Sequence, residues 1–206
     1  MHDINEMENN SFIMEVNAPY SLNYLVFMQN IFENSKNSDG IRPLFPYVDS
    51  SRWGLLQNEN FTNTFREIWN EVIGKNKRLD DHSSMLENEN TLYQRLFENN
   101  ENGRFGYSES IKLFLSWWDG IYGNIAIQKV FDDESMNKIY WELSKLIEPT
   151  TDITITRRLK IDLVYDQQLL KGKMADSWYV VVPIEDIFVL KPQLVPSLLK
   201  SCEITE

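Results

Sequence analysis

Histidine and cysteine are almost missing from this chain of 206 residues: His2, His82 and Cys202 are all there are. A single cysteine excludes an intramolecular disulfide and a thiolate metal cluster. Two histidines leave almost no material for multi-histidine metal sites, Ser-His-Asp triads or Cys-His pairs. Glycine is also scarce, with 8 residues. Gly103-x-x-Gly106 lacks the flanking strand and the lysine that would make it a phosphate loop. The longest apolar runs, Tyr24–Met28 and Trp178–Ile184, fall far short of the roughly 20 residues that span a bilayer. The opening MHDINEMENN has neither the basic nor the apolar region of a signal peptide. These absences lead to the expectation of a cytoplasmic protein without a metal or other cofactor.

Positive charge is the other deficit. Lys and Arg number 20 against 31 Asp and Glu, a formal net charge of -11. Neutralising phosphates requires a surplus of bases along some face, so nucleic acid is not expected as a partner. An anionic membrane surface is disfavoured for the same reason. Residues 1–150 hold 23 acids and 13 bases, whereas 151–206 hold 8 and 7, so nearly all the surplus precedes residue 151. It is densest at 80–102, where Asp80, Asp81, Glu87, Glu89, Glu98 and Glu101 face the single base Arg95.

What is abundant is apolar and aromatic material: 42% hydrophobic residues, with 6 Trp, 9 Tyr and 11 Phe. That is enough for a sizeable core built around large rings. The length fits one domain, 1–206, helical over about 20–148 and rich in strands over about 150–206. Phe12–Val16 reads as a short strand closed by Asn17-Ala18-Pro19. Ser21 is placed to cap an almost entirely apolar helix running to about Glu33, buried on more than one side. Residues 34–54 form a long connection, packed down by Leu44, Phe45, Tyr47 and Trp53. Its length marks it as a place for function.

Phe61, Phe65, Ile68, Trp69, Val72 and Ile73 form one helical stripe, with Asn60 as cap and Gly74 as stop. A helix over about 84–99 turns Leu92, Tyr93, Leu96 and Phe97 inward. Leu56–Asn60 and Leu86–Asn90 share a local string, which is read as common capping chemistry because no third copy exists. Gly103 and Gly106 bracket a turn, and Ser108 caps a helix ending at Asp119-Gly120. Another helix opens at Asp132–Glu134 and stops at Pro149. The period then changes to two: Ile153 to Tyr165 alternate with polar residues, giving a strand with one wet face. Trp178–Val182 is a second strand, expected to form a hairpin with it. The fold class is therefore α+β, with a small antiparallel sheet made mainly of C-terminal strands, which Phe12–Val16 could join.

Three places carry candidate chemistry. Asp80-Asp81-His82 combines carboxylates with an imidazole, although adjacent side chains diverge and a solvated loop before a helix cap is the preferred reading. Arg157 falls on the apolar face if the strand is unbroken, where it would need a carboxylate or an anionic ligand. A bulge at Arg157-Arg158 would leave both arginines wet. Trp117 lies about 100° around its helix from the core residue Trp118, so it is the ring expected to reach the surface as a binding anchor.

The preferred reading is a non-enzymatic, acidic protein-binding module. An inhibitor or immunity-type protein of bacterial or phage origin, neutralising a basic partner, is the example in mind. The binding residues would come from Asp80, Asp81, Glu87, Glu89, Glu98, Glu101, Trp117 and Arg157. Alternatives are a structural or regulatory subunit that self-associates, and a hydrolase working with carboxylates alone.

Overall fold

The computed structural model describes residues 12–36, 43–78, 90–130, 133–147, 157–189 and 191–203. It has the expected α+β class. Strand β1 (Phe12–Asn17) leads into helix α1 (Tyr20–Lys36). Helices α2 (Asn58–Asn76), α3 (Asn90–Gln94) and α4 (Glu101–Trp118) follow. A π-helical turn at Ile121–Ile125 leads to the single turn α5 (Ala126–Gln128) and to α6 (Asp133–Leu146). The chain then forms β2 (Arg157–Val164), β3 (Ala175–Asp176) and β4 (Tyr179–Pro183), and ends in α7 (Ile184–Val189) and α8 (Lys191–Cys202). Among the described residues, no helix is long and apolar enough to cross a membrane.

The four strands lie in the order β1-β2-β4-β3. The N-terminal strand does join the C-terminal ones, but the sheet is mixed rather than antiparallel. β2 is parallel to β1 (Met14 opposite Leu159) and parallel to β4 (Asp162 opposite Val181); only the short β3 runs antiparallel to β4. The expected hairpin between β2 and β4 is thereby corrected. Parallel neighbours need a connection of roughly a dozen residues or more that brings the chain back to the starting end, and residues 165–178 supply it. That return is held by helix side chains. Gln29 of α1 accepts from the Leu169 N–H at 2.7 Å and donates to the Gln167 carbonyl at 2.8 Å. On α2, Arg66 Nε donates to the Leu170 carbonyl and Trp69 Nε1 to the Lys173 carbonyl, both at 2.7 Å. A side chain at position 172 would run into the Trp69 ring, so the return passes that indole as glycine.

The wet face expected for β2 is also absent. From Leu159 to Val164 every residue is buried, including Lys160 and Asp162, because the strand lies between two neighbours with α1 packed against it. Central parallel strands are covered on both faces. The two charged side chains share one face, two residues apart, and meet the end of α2. Lys160 Nζ donates to the Asn76 carbonyl at 2.8 Å, while Asp162 Oδ2 accepts from Asn76 Nδ2 at 3.0 Å and from the Tyr179 hydroxyl at 2.6 Å. This pairing explains why α2 runs through Gly74, expected as its stop, to Asn76. Its start is also earlier than the expected Asn60 cap: Gln57 holds the N-cap position.

The α2 stripe from Phe61 to Ile73 is buried as its spacing requires, and so are residues 21–32 of α1. Leu92, Tyr93, Leu96 and Phe97 are buried too, although α3 ends at Gln94; residues 84–89 of the expected helix lie outside the described residues. α4 departs most from expectation. It begins at Glu101, with the Asn100 side chain accepting from the Gly103 N–H at 2.9 Å, and Ser108 lies within it. Gly103 and Gly106 are helical rather than turn residues. Each is glycine because backbone lies against it: a Cβ at 103 would overlap the Glu98 carbonyl oxygen, and one at 106 the Trp53 carbonyl oxygen. The segment Gly54–Leu56 pairs with Leu96–Glu98, with Glu98 N–H donating to the Gly54 carbonyl at 2.7 Å and Leu56 N–H to the Leu96 carbonyl at 3.0 Å.

Two glycine substitutions separate these effects. Gly106→Ala is expected to cost about 1–3 kcal/mol through overpacking against fixed backbone. Gly74→Ala, in helical backbone with no neighbour within 4 Å of the new methyl, is expected to stabilise by about 0.5–1 kcal/mol. Urea denaturation of both variants checks the pair; equal effects would contradict this packing.

Candidate functional site

The described residues among those singled out in the sequence do not converge. Asp80, Asp81, His82, Glu87 and Glu89 lie outside the described residues, as does the 153–156 stretch ahead of Arg157. Glu98 and Glu101 are exposed at the start of α4, where Glu98 Oε2 accepts from Asn100 Nδ2 at 2.7 Å. Trp117 is near the other end of the same helix, about 24 Å along its axis at the α-helical rise. Arg157 is half-buried at the first position of β2, its guanidinium 5.6 Å from the centre of the Trp178 ring. It is therefore at the opposite end of the sheet from the Trp117 cluster, roughly a strand length of 26 Å away.

Trp117 is not the free-standing surface ring the helix geometry predicts. It is half-buried among rings from three other parts of the chain: Phe27 of α1, Phe45 of the long connection and Tyr165 just after β2. The Trp117 and Tyr165 ring centres are 4.8 Å apart at 66°, and Trp117 and Phe45 are 5.2 Å apart. Tyr47 stands edge-on to Phe45 at 6.4 Å. Phe45 is 38% and Tyr47 61% exposed, so the cluster is rooted in the core and opens to solvent through the connection.

A buried amide organises this cluster. Asn30 of α1 has no exposed surface, and its Nδ2 lies within 2.9 Å of the Phe45 carbonyl, 3.3 Å of the Tyr165 hydroxyl and 2.8 Å of Asp166 Oδ2. The Tyr165 hydroxyl itself donates to the Phe45 carbonyl at 3.1 Å. One turn further along α1, Asn34 holds the same loop by both ends of its amide: its Nδ2 donates to the Leu44 and Pro46 carbonyls and its Oδ1 accepts from Leu44 N–H. Burial, and after it the adjacent Asp166 carboxylate, push the Tyr165 phenol well above its ordinary pKa.

From Asp166 the polar edge continues across the ends of the strands. Gln167 N–H donates to Asp166 Oδ1 at 2.8 Å, and its Nε2 donates to Asp186 Oδ1 at 2.8 Å and lies 3.5 Å from Glu185 Oε2. Glu185 and Asp186 occupy the first turn of α7, where acids suit the positive end of a helix. None of the three carboxylates pairs with a cation among the described residues. The rings and the acids together occupy the carboxyl edge of the parallel strands, the end of such sheets at which ligands are usually met.

Two other places are less suited to a ligand. A cleft of about 430 Å³ between the end of α1 and the starts of α2 and α4 includes Lys36, Gln57 and Glu98. Its Lys36 ammonium is already engaged, 2.9 Å from Glu33 and over the Phe32 ring. Cys202 has its thiol pushed up to about 11 by burial, so it is not a thiolate at neutral pH. Among the described residues, no group of three or more His, Cys, Asp or Glu is placed to hold a metal ion.

Of the carboxyl-edge residues, sequence reasoning reached Trp117 and the packed-down loop carrying Phe45 and Tyr47. It missed Asp166, Glu185, Asp186 and the organising role of Asn30. Asp166 directly follows a stretch whose alternation reads as a half-wet strand, and no local spacing ties an Asn in an apolar helix to a strand end far along the chain. Comparison with protein-family models, with curated proteins and with solved structures gives no match in any of the three.

Removing the amide tests the arrangement. Asn30→Ala is expected to destabilise the fold by about 1–3 kcal/mol, the cost of leaving buried acceptors unpaired. It should also shift tryptophan emission to the red as Phe45 loosens over Trp117; unchanged emission would contradict the placement. The phenols make a separate prediction. Tyr24, Tyr165 and Tyr179 are all raised above the ordinary value of 10.0, chiefly by burial. Below that pH their stabilisation is fully present. Above it the unfolded chain loses protons that the folded chain keeps, so stability falls as pH rises. Urea midpoints measured across the alkaline range should decline, and less steeply in Tyr165→Phe; a flat profile in the parent protein would contradict this.

Proposed function

We propose that this protein is a non-enzymatic, acidic binding module that docks a basic segment of a protein partner on the carboxyl edge of its sheet. The observation that carries the reading is the adjacency of two unlike features. Aromatic rings reach solvent at Phe45 and Tyr47; Asn30 joins the Phe45 carbonyl to Asp166, Gln167 continues the chain of contacts to Asp186 and Glu185, and these three carboxylates have no cationic partner among the described residues. Large rings at the centre of a patch are the usual energetic anchors of protein interfaces. Carboxylates at the rim attract a positive partner and speed its arrival, and the net charge of -11 extends that attraction beyond the contact itself. A chain that neutralises a basic protein, as inhibitors and immunity-type proteins do, needs such a face and no reacting group.

Titration of an Arg- and Lys-rich peptide into the full chain, followed by calorimetry, tests the proposal. Binding is expected at low ionic strength, weakening by about tenfold or more as salt screens the rim. Trp117→Ala and Asp186→Asn are each expected to weaken it by about fivefold or more, a hot-spot loss above roughly 1 kcal/mol. Affinity indifferent to salt and to both substitutions would refute the proposal.

A further inference from the structure

The two sides of the sheet end differently. One side is closed by β3, which is only two residues long. The other is β1, six residues that pair with β2 without a break, from Phe12 opposite Arg157 to Asn17 opposite Asp162. Along a strand the N–H and C=O groups of successive residues point to opposite sides, so those of every second residue in β1 point away from β2. Among the described residues, Phe12–Asn17 have no backbone partner other than β2. Among the described elements, β2 alone packs along the length of β1. Helix α6 touches it through the Tyr140 ring, stacked on Phe12 at 4.9 Å. Such an open row is usually guarded by proline, a bulge, charges or shortness. β3 has the last of these guards. β1 has no proline and no bulge, and its one charge, Glu15, is held 3.0 Å from Arg158. Ile13, beside it on the same face, is 43% exposed.

Donors and acceptors alternating at strand spacing are matched by another extended backbone. The side chains of β1 then set what that backbone carries. Phe12, Met14 and Val16 share one face, whereas Ile13, Glu15 and Asn17 share the other. An added strand meets an apolar row on the first face and an acid on the second. A second copy of this chain fits poorly. β1 holds no base to set against Glu15, and each copy brings a net charge of -11. We infer that the free side of β1 takes up an extended segment of a partner protein as an added strand, apolar at every second position and basic between. Backbone bonds hold the segment, its apolar residues extend the Phe12–Met14–Val16 row, and a base lies beside Glu15. This surface runs along the side of the sheet, away from the carboxyl ends of the strands, and the inference is independent of the docking reading above.

The test titrates the full chain with a labelled peptide alternating valine and lysine, and with the same peptide N-methylated at its amides. N-methylation keeps every side chain and charge but removes the backbone donors. The parent peptide is expected to bind, and the methylated one to bind about tenfold or more weakly as its backbone bonds are lost. Amide exchange within Phe12–Asn17 should slow in the complex. Ile13→Lys, at an exposed position, should weaken binding by about fivefold or more by setting like charges opposite one another, and Asp186→Asn should leave it unchanged. Equal binding of both peptides would overturn the inference, because side-chain charge alone would then account for it. No binding by the parent peptide would do the same. Binding that is lost in Asp186→Asn and leaves β1 exchange unchanged would place the peptide at the carboxyl edge, sinking this inference while supporting the docking reading. Sedimentation of the protein alone closes the remaining route: a dimer broken by Ile13→Lys would put a second copy on this edge and overturn the assignment to a partner.

Discussion

Fully burying Asn23, Gln29 and Asn30 on a single helix creates an obligation that shapes much of this fold. Each amide taken out of water must find partners, and an unpaired one costs a kcal/mol or more, of order 1–3. α1 meets only part of this locally, through Gln29 Nε2 donating to Asn30 Oδ1 at 3.2 Å and Asn23 Nδ2 to the Pro19 carbonyl at 2.8 Å, because its own backbone bonds are already made. The remaining partners come from distant chain: Asn23 takes the Leu163 carbonyl and the Tyr165 N–H, Gln29 the return after β2, and Asn30 the Phe45 loop and Asp166. With the half-buried Asn34, these side chains hold the connections that a sheet of parallel strands requires. The candidate site is a by-product of that bracing, since the groups that close the loops also set the rings and carboxylates side by side.

A second polar seam fixes where the central strand sits. Asp162 and Lys160 occupy a face of β2 covered by the end of α2, and the Asn76 side chain and carbonyl serve one each. Tyr179 reaches the same carboxylate from β4 at 2.6 Å, and burial, together with the nearby acid, raises the pKa of that phenol. Because side chains alternate along a strand, a slip of one residue would turn Lys160 and Asp162 to the other face and break all of these bonds. The seam therefore opposes any other pairing of β2 with its neighbours. Hydrophobic packing alone would resist such a slip less, since Leu159, Ile161 and Leu163 would meet similar apolar residues on either side.

Several features were legible without the structure for definite reasons. The stripe on α2 repeats over three turns, so its periodicity outweighs local noise, and α1 is apolar on nearly every side. The end of α4 at Asp119-Gly120 follows from residues that do not continue a helix. The misreadings are equally instructive. Gly103 and Gly106 look like turn glycines, yet each is small because another stretch of backbone presses against it. The alternation after residue 157 resembles a half-wet antiparallel strand. Lys160 and Asp162 in it are instead paired internally, which alternation cannot distinguish from exposure.

By itself, the sequence determined the α+β class, the positions of the main apolar helices, the late appearance of strands and the acidic balance. All of these are set by local spacing and composition. That β1, β2 and β4 run parallel, that Lys160 and Asp162 are interior, and that Trp117, Phe45, Tyr165 and Asp166 share one edge emerges only in the folded molecule. Those outcomes depend on which distant groups satisfy a buried polar atom. Side chains such as Asn30 and Asn76 can accept many partners, so their choice is settled only when the whole chain has closed around them.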